Sequence, residues 1–346
     1  MRNVFNLKPE NTMIKKYTVS LKDIAVATGV SISTVSRVIQ KKGEIAPDTR
    51  SKIMNAAQEL GYHENRLSNA IRTGKTGVVG FIGSVGDSFF NKLFVLIHEE
   101  LRKRNYLPIV SWQVNHDQEV IKRMIEQRVD GIIIVPTVDH ADDDYYREVT
   151  ERGLPIVAID RKIPADIDFV GTDDYAGGWM MAEYLYGQGH RRMGFYHCCP
   201  DASPANLRKK GFLDFCNRHP DCSVALAGHC GWNLEEDWIL IDFFNAHPEI
   251  TAIGTITDFH AMQLADVIAK IGKRIPDDVS VVGFGNLDDQ WILHRQLTTF
   301  DQKGDELAKV AVDLLFERMN GSVNPKVEYR VKPKLIVRNS TGKRRK

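Results

Sequence analysis

The chain has 346 residues, 43% hydrophobic and 26% charged, an ordinary globular composition with room for two or three domains and a substantial buried core. No run of about 18 uncharged apolar residues occurs, and the opening "MRNVFNLKPENTMIKKYT" lacks the apolar centre of a signal peptide, so a cytoplasmic protein with no membrane partner is expected. The net charge of +1 hides an asymmetry: residues 1–75 hold 13 Lys and Arg against 6 Asp and Glu, whereas the remainder holds 33 against 39. Clustered cations of this kind neutralise phosphates, which favours a nucleic-acid module joined to a domain with different work to do.

Residues 1–17 carry no sustained periodicity and read as a disordered extension, within which Met13 is an alternative start. From Ser20 helical signals are dense. Ser20 to Asp23 matches a capping box, and Leu21, Ile24, Ala25 and Thr28 then fall on one face. Gly29 can end that helix in a left-handed conformation. Ser31 can cap a second helix with Val35, Val38 and Ile39 facing inward. Pro47 suits the first position of a third, which runs through Ile53, Ala56, Ala57 and Leu60 to Gly61. A compact three-helix unit over 18–61 is expected, then a linker over 62–75.

Beyond Lys75 short apolar runs alternate with helical stretches. The first set is "GVVGFI" (77–82), "LPIVSW" (107–112), "GIIIV" (131–135), "LPIVAID" (154–160) and "DFVGT" (168–172). The second is "RMGFYHC" (192–198), "AIGTIT" (252–257) and "VSVVGF" (279–284). Continuous apolar strands between helices imply parallel sheets covered on both faces. Two successive sets imply two α/β lobes with a ligand-binding cleft between them.

The segments "TGVSISTVSRVIQ" and "PDTRSKIMNAAQELGY", followed in order by "LPIVAIDR", "VGTDDYAGG", "GHRRMGF", "IPDDVSVVGF" and "LTTFDQ", resemble the LacI/GalR (lactose-repressor) family of bacterial transcription regulators over roughly residues 18–340. The resemblance implies an α/β fold: an N-terminal three-helix helix-turn-helix head and a hinge helix, then a two-lobed periplasmic-binding-protein-like core with two parallel sheets. The effector-binding and dimerisation core would span 76–340, its first lobe about 76–172 and 300–322, its second about 173–299 and 323–340, with a basic tail at 341–346. The partners implied are double-stranded operator DNA, a small-molecule effector and a second copy of the chain. After Val337 only "RNSTGKRRK" remains, too short for a heptad tail, which favours a homodimer over a tail-stitched tetramer.

In a helix-turn-helix the second helix lies in the major groove with its N-terminal residues nearest the base edges. Here those are Ser31, Ile32, Ser33, Thr34, Ser36 and Arg37. Ile32 and Ser33 match the positions that set operator preference among relatives; Ile32 has no hydrogen-bonding group and would read apolar shape such as a thymine methyl. Arg37 can bond guanine or phosphate. Ser31, Thr34, Ser36 and Ser20 suit phosphates or helix capping. Over 62–77, "YHENRLSNAIRTGKTG" occupies the place of the hinge helix; Ile71 stands where relatives insert a leucine into the minor groove, with Asn65 and Arg72 available to phosphates. "TGKTG" is an incomplete phosphate-loop signature: Asn69 stands where it needs glycine, and it precedes a strand rather than following one.

For the cleft the resemblance implies Phe89, Phe90, Asp160 and Arg161 from the first lobe, and Arg208, Trp232 and Asp258 from the second. Aromatic faces with Arg and Asp suit a carbohydrate or similar polar ligand. Two departures, Gly285-Asn286 in place of an acidic turn and Thr257 in place of asparagine, weaken the case for an ordinary neutral sugar, and Arg208 with fewer opposing acids would suit a phosphorylated or acidic ligand, so the effector is expected to be a sugar or sugar phosphate. Cys198, Cys199, Cys216, Cys222 and Cys230 lack a Cys-x-x-Cys spacing, so no metal, disulfide framework or cofactor is expected. No nucleophile, base and oxyanion set is evident, and the chain is expected not to be an enzyme. The alternative is a soluble sugar-binding protein or sugar-converting enzyme that retains the head as a relic.

Overall fold

The computed structural model describes residues 19–40, 42–63, 70, 74–84, 88–113, 117–136, 143–163, 166–198, 203–229, 237–287 and 296–344. The chain divides into two compact units at Gly74 and Lys75. Expectations for residues 1–17, most of the hinge with Asn65, Ile71 and Arg72, and Trp232 lie outside the described residues.

The first unit holds three helices, α1 (Leu21–Thr28), α2 (Ile32–Ile39) and α3 (Pro47–Glu59). Each begins as local chemistry dictates. Ser20 and Asp23 form the reciprocal capping box, Ser31 Oγ accepts the backbone N–H of Thr34 at 3.1 Å, and Pro47 opens α3. Gly29 closes α1 at φ +68°, a conformation that costs a residue with a Cβ roughly 1–2 kcal/mol. Ile24, Val35, Val38 and Ile53 meet as a fully buried core with Ala25 and Ala57 at its edge. Each large side chain contributes about 1.5–3 kcal/mol by leaving water.

The second unit is α/β. A six-stranded parallel sheet runs in the order β11-β5-β4-β3-β1-β2, from β1 (Val78–Ser84), β2 (Leu107–Gln113), β3 (Gly131–Ile134), β4 (Ile156–Ile159), β5 (Asp168–Thr172) and β11 (Glu328–Val331). Alternate residues feed two cores. Val79, Phe81, Ile133, Val157 and Ile159 pack under α4 (Ser88–Lys103) and α11 (Gly304–Met319). Ile82, Ile132, Ile134, Ile156 and Ala158 face α5 (Asp117–Glu126) and α6 (Asp143–Glu151). Period-two burial on both faces is why these strands read as unbroken apolar runs.

The second sheet is parallel in the order β7-β6-β8-β9, from β6 (Arg192–Cys198), β7 (Ser223–His229), β8 (Ala252–Thr255) and β9 (Ser280–Val282). Its cores lie under α7 (Asp174–Gly187) and α8 (Ser203–Asn217) on one face and α9 (Asp237–Ala246) and α10 (Asp258–Lys270) on the other. A short antiparallel pair, β10 (Thr299–Asp301) with β12 (Lys334–Ile336), completes this lobe.

Two boundaries are corrected. Residues 323–340 do not all belong to the second lobe, because β11 pairs in parallel with β5 in the first sheet. The return to the first lobe comes after β10 rather than at residue 300, since Thr298 bridges to Val282 of β9 and Thr299 pairs with Ile336. Strand β7 was not anticipated: "SVALAGH" has too little apolar contrast, and its pairing with β6 is what makes it a strand. Among the described residues no helix is long and apolar enough to cross a membrane.

A buried ion pair holds β11 in place. Arg318, at the end of α11, bonds both carboxylate oxygens of Asp168 at 2.7 and 2.9 Å, and its remaining N–H groups donate to the carbonyls of Ser322, Asn324 and Pro325. Asp168 Oδ1 also accepts from Val327 N–H, so one carboxylate sets the loop that feeds the strand. Asp168→Asn leaves a buried guanidinium unmatched and should lower stability by about 3–5 kcal/mol, read by urea unfolding. In the second lobe, just ahead of the inner strand β6, His190, 3% exposed, lies 2.9 Å from Thr251 Oγ1 and 3.1 Å from the Gly342 carbonyl. Burial, opposed by the Gly342 carbonyl and reinforced by Arg344 and Arg191, holds its pKa below the ordinary 6.5. The unfolded chain therefore takes up this proton first. The associated stability is complete above pH 6.5 and is lost as pH falls toward the depressed value, so the wild-type melting temperature should fall more steeply over that interval than that of His190→Gln.

Candidate nucleic-acid interface and effector cleft

Helix α2 has two unlike faces. Val35 and Val38 are buried, whereas Ile32, Ser33 and Arg37 stand exposed, Ile32 at 49%. At 100° per residue 32, 33, 36 and 37 share one side, so the turn that buries the valines presents these four outward. Among the described residues no carboxylate meets Arg37. Ser36 Oγ accepts from Gln40 Nε2 at 3.1 Å. The hydroxyls are less free than their sequence positions suggest: Ser31 Oγ caps α2 and lies 2.8 Å from Ser33 Oγ and 2.9 Å from Thr34 Oγ1, and Ser20 Oγ is bonded to Asp23 at 2.7 Å. Ile32, Ser33 and Arg37 are thus the outward side chains at the start of this helix and one turn on.

The residues expected at the cleft fall into two groups. In the first lobe Phe89 and Phe90 open α4 and sink into its core, ring centroids 5.6 Å apart. Arg161 lies with its guanidinium carbon 5.8 Å from the Phe90 centroid and donates to the Pro136 carbonyl at 3.2 Å. Asp160 is buried and sits at φ +67°, where the chain turns out of β4. That left-handed turn comes immediately before Arg161, whose guanidinium lies over Phe90.

In the second lobe Arg208 is 5% exposed and spends its nitrogens on the protein. Nε donates to Asp174 Oδ1 at 2.7 Å, Nη1 to the Ile256 carbonyl at 2.6 Å and Nη2 to Gln302 Oε1 at 3.2 Å, while the guanidinium carbon stands 3.9 Å from the Phe284 ring centroid. Burial raises the pKa of Asp174 and the neighbouring guanidinium opposes that rise. Asp258, 1% exposed, organises a loop: its Oδ2 accepts from Leu287 N–H at 3.0 Å and its Oδ1 from Thr299 Oγ1 at 2.5 Å. Any Cβ at Gly283 would come within 2.2 Å of that carboxylate. Lys92 Nζ, on α4, reaches across from the first lobe to the Asn286 carbonyl at 3.4 Å.

Asp174, Gln302, Thr172, Phe284 and Lys92 carry no local signal as site residues. Three of them lie inside "VGTDDYAGG" and "LTTFDQ", whose co-occurrence marks the chain without revealing that both segments converge on Arg208. The expectation of fewer acids opposing Arg208 meets a buried partner in Asp174, 34 residues earlier in sequence and 2.7 Å away in space.

A model of the "Bacterial regulatory proteins, lacI family" matches residues 20–65, and a "Periplasmic binding protein-like domain" model matches 182–341. Among curated relatives, an HTH-type transcriptional repressor PurR of Pasteurella multocida is 25% identical over 343 residues, covering 94% of this chain and 99% of that protein. The ribose operon repressor of Escherichia coli K12 is 25% identical over 335 residues, covering 93% and 99%. Among solved structures, a lac repressor dimer bound to operator and the anti-inducer ONPF superposes with a TM-score of 0.82 at 23% identity, covering 94% of this chain and 99% of that one. With a matching DNA-binding head, a matching core and near full-length correspondence to named repressors, the chain belongs to the LacI/GalR family of bacterial transcription regulators.

Proposed function

We propose that this protein is a transcriptional repressor that binds a pseudo-palindromic operator as a homodimer in the cytoplasm and answers to a sugar bound between its core lobes. The observation that carries the DNA reading is the split of α2 into a buried valine face and an exposed Ile32, Ser33 and Arg37 face. A helix anchored on one side and bare on the other is what major-groove docking requires. Arg37 supplies a cation for guanine or phosphate, and Ile32 offers apolar contact with little hydrogen-bonding code. Ser33 has a hydroxyl for either. The capping hydroxyls of Ser20 and Ser31 position helix ends and have a secondary claim on phosphates; Asn65, Ile71 and Arg72 remain candidates for the hinge.

The dimer reading rests on apolar side chains at sheet edges. Leu107 and Trp112 are exposed on edge strand β2, and Leu226 on edge strand β7. Covering these edges with a second copy would remove both liabilities. A two-fold axis then requires a two-fold operator.

For the effector, the matched charge of Arg208 and Asp174 favours a neutral, hydroxyl-rich ligand over a phosphorylated one, because an added phosphate would meet a guanidinium already neutralised. That neutral class includes ribose, after which one relative is named. The relic-head alternative, in which a sugar-binding protein or enzyme merely retains the DNA-binding module, predicts ligand binding or turnover without effect on DNA.

On an operator isolated by in vitro selection, Arg37→Ala should weaken binding by about 1–3 kcal/mol, and exchanging the Ile32-Ser33 pair should redirect operator preference without lowering the melting temperature of the head. Mobility shifts at physiological salt decide this; an absent specific complex, or an Arg37→Ala variant indistinguishable from wild type, sinks the reading. In a thermal-shift series a neutral pentose or hexose should raise the melting temperature and alter operator affinity. Its phosphate ester should do neither, and Arg208→Ala should abolish the sugar response.

A further inference from the structure

Arg208 does more than face a ligand. Its backbone cannot move, because α7 and α8 touch main chain to main chain: a Cβ at Gly178 would lie 1.9 Å from the Arg208 carbonyl oxygen, and one at Gly211 would lie 2.0 Å from that of Tyr175. A ligand that draws on the guanidinium must therefore do so by swinging the side chain. Of its three protein bonds, those to Asp174 and Ile256 are short, at 2.7 and 2.6 Å, and the first is charge-assisted. The bond to Gln302 is the longest, 3.2 Å, and goes to a neutral acceptor. It is the one a ligand displaces at least cost.

That acceptor is shared. Gln302 Oε1 also accepts from Thr172 Oγ1 at 3.1 Å, and both residues are buried, Gln302 at 3% exposure and Thr172 at 1%. Thr172 ends β5, where the chain first leaves the first lobe, and Gln302 follows β10, where it returns. A single amide oxygen thus joins the cleft arginine to two of the strands that connect the lobes. Phe284, under the guanidinium, stacks on Phe300 of β10 at 5.6 Å, so the same returning strand is held from below.

We propose that Gln302 is a positioning residue that links Arg208 to the two crossover segments, so that effector engagement of Arg208 frees Gln302 and Thr172 and thereby alters how the lobes are joined. This rests on the repressor reading above. Without effector the latch is closed and biases the core toward one arrangement; with effector the bias is lost, and operator affinity follows through the linkage of the two equilibria.

The test uses full-length protein and Gln302→Met, which keeps length but removes the acceptor, Thr172→Val, which removes the hydroxyl, and the double variant. Gln302→Glu keeps an acceptor oxygen. Affinity for the selected operator is measured without added sugar, and deuterium uptake is followed in peptides spanning 168–176 and 298–304. Gln302→Met should shift operator affinity on the order of fivefold or more, Thr172→Val in the same direction, and the double variant no further than Gln302→Met, since both act on one oxygen. Gln302→Glu keeps the oxygen and makes its bond to Arg208 charge-assisted, so operator affinity should stay at the wild-type value or move in the sense opposite to Gln302→Met, a separation that loss of side-chain bulk would not produce between two variants of similar size. Both crossover peptides should exchange faster in the Met and Val variants. Affinities that stay together across all variants, or single shifts that multiply in the double variant, overturn the latch. If wild type forms no operator complex, the repressor reading fails instead, and deuterium uptake decides the latch alone: faster exchange in both crossovers supports it and unchanged exchange overturns it.

Discussion

A guanidinium buried to 5% exposure in the second lobe has to be neutralised where it stands, and several segments of that lobe are arranged around meeting that requirement at Arg208. Asp174 supplies the charge, Ile256 and Gln302 the remaining acceptors, and Phe284 the flat surface beneath. These groups come from the start of α7, the end of β8, the segment after β10 and the turn after β9. Their meeting at one point fixes the relative placement of elements far apart in sequence. The bare glycines at 178 and 211 belong to the same arrangement, because only their lack of Cβ lets α7 and α8 approach closely enough to hold the arginine.

The first lobe meets a similar demand at Asp168 and Arg318, to a different end. There the ion pair is completed by three carbonyls and one N–H of the loop leading to β11, so it holds a strand at the sheet edge and leaves no polar group turned toward a ligand. The comparison separates two uses of a buried ion pair. One is closed and structural; the other keeps a long, neutral, replaceable bond at Gln302.

The head uses electrostatics differently. Its capping hydroxyls and carboxylate organise helix ends at the surface, and its single exposed guanidinium on α2 is left without a carboxylate partner among the described residues. An ion pair there would oppose phosphate or base contact. The small apolar core of Ile24, Val35, Val38 and Ile53 makes that exposed face rigid, which is what an interface read by shape needs.

Most elements of the fold were legible in the amino-acid order because their causes are local. Ser20 and Ser31 cap, Gly29 terminates, Pro47 initiates, and runs such as "GIIIV" can only be strands buried on both faces. Helical period put Val35 and Val38 inward; the narrowing of the six residues expected at the DNA to Ile32, Ser33 and Arg37 came from burial and from the bonds that engage Ser31, Thr34 and Ser36. What the sequence by itself could not determine was which distant segments meet. β11 joined the first sheet because Arg318 and Asp168 place its leading loop beside β5; the alternating "EYRV", with Val331 buried and Tyr329 partly so, is too short to announce which sheet it joins. Asp258, expected at the cleft from the resemblance, anchors a loop through bonds from Thr299 and Leu287 to its carboxylate, which nothing near it in sequence announces. Arg208 was expected at the cleft from the resemblance of its neighbours; its bonds to Asp174 and Gln302, and that of Thr172 to Gln302, were decided only by tertiary structure, since hydrogen bonds between segments 34 to 130 residues apart leave no period or spacing in the chain.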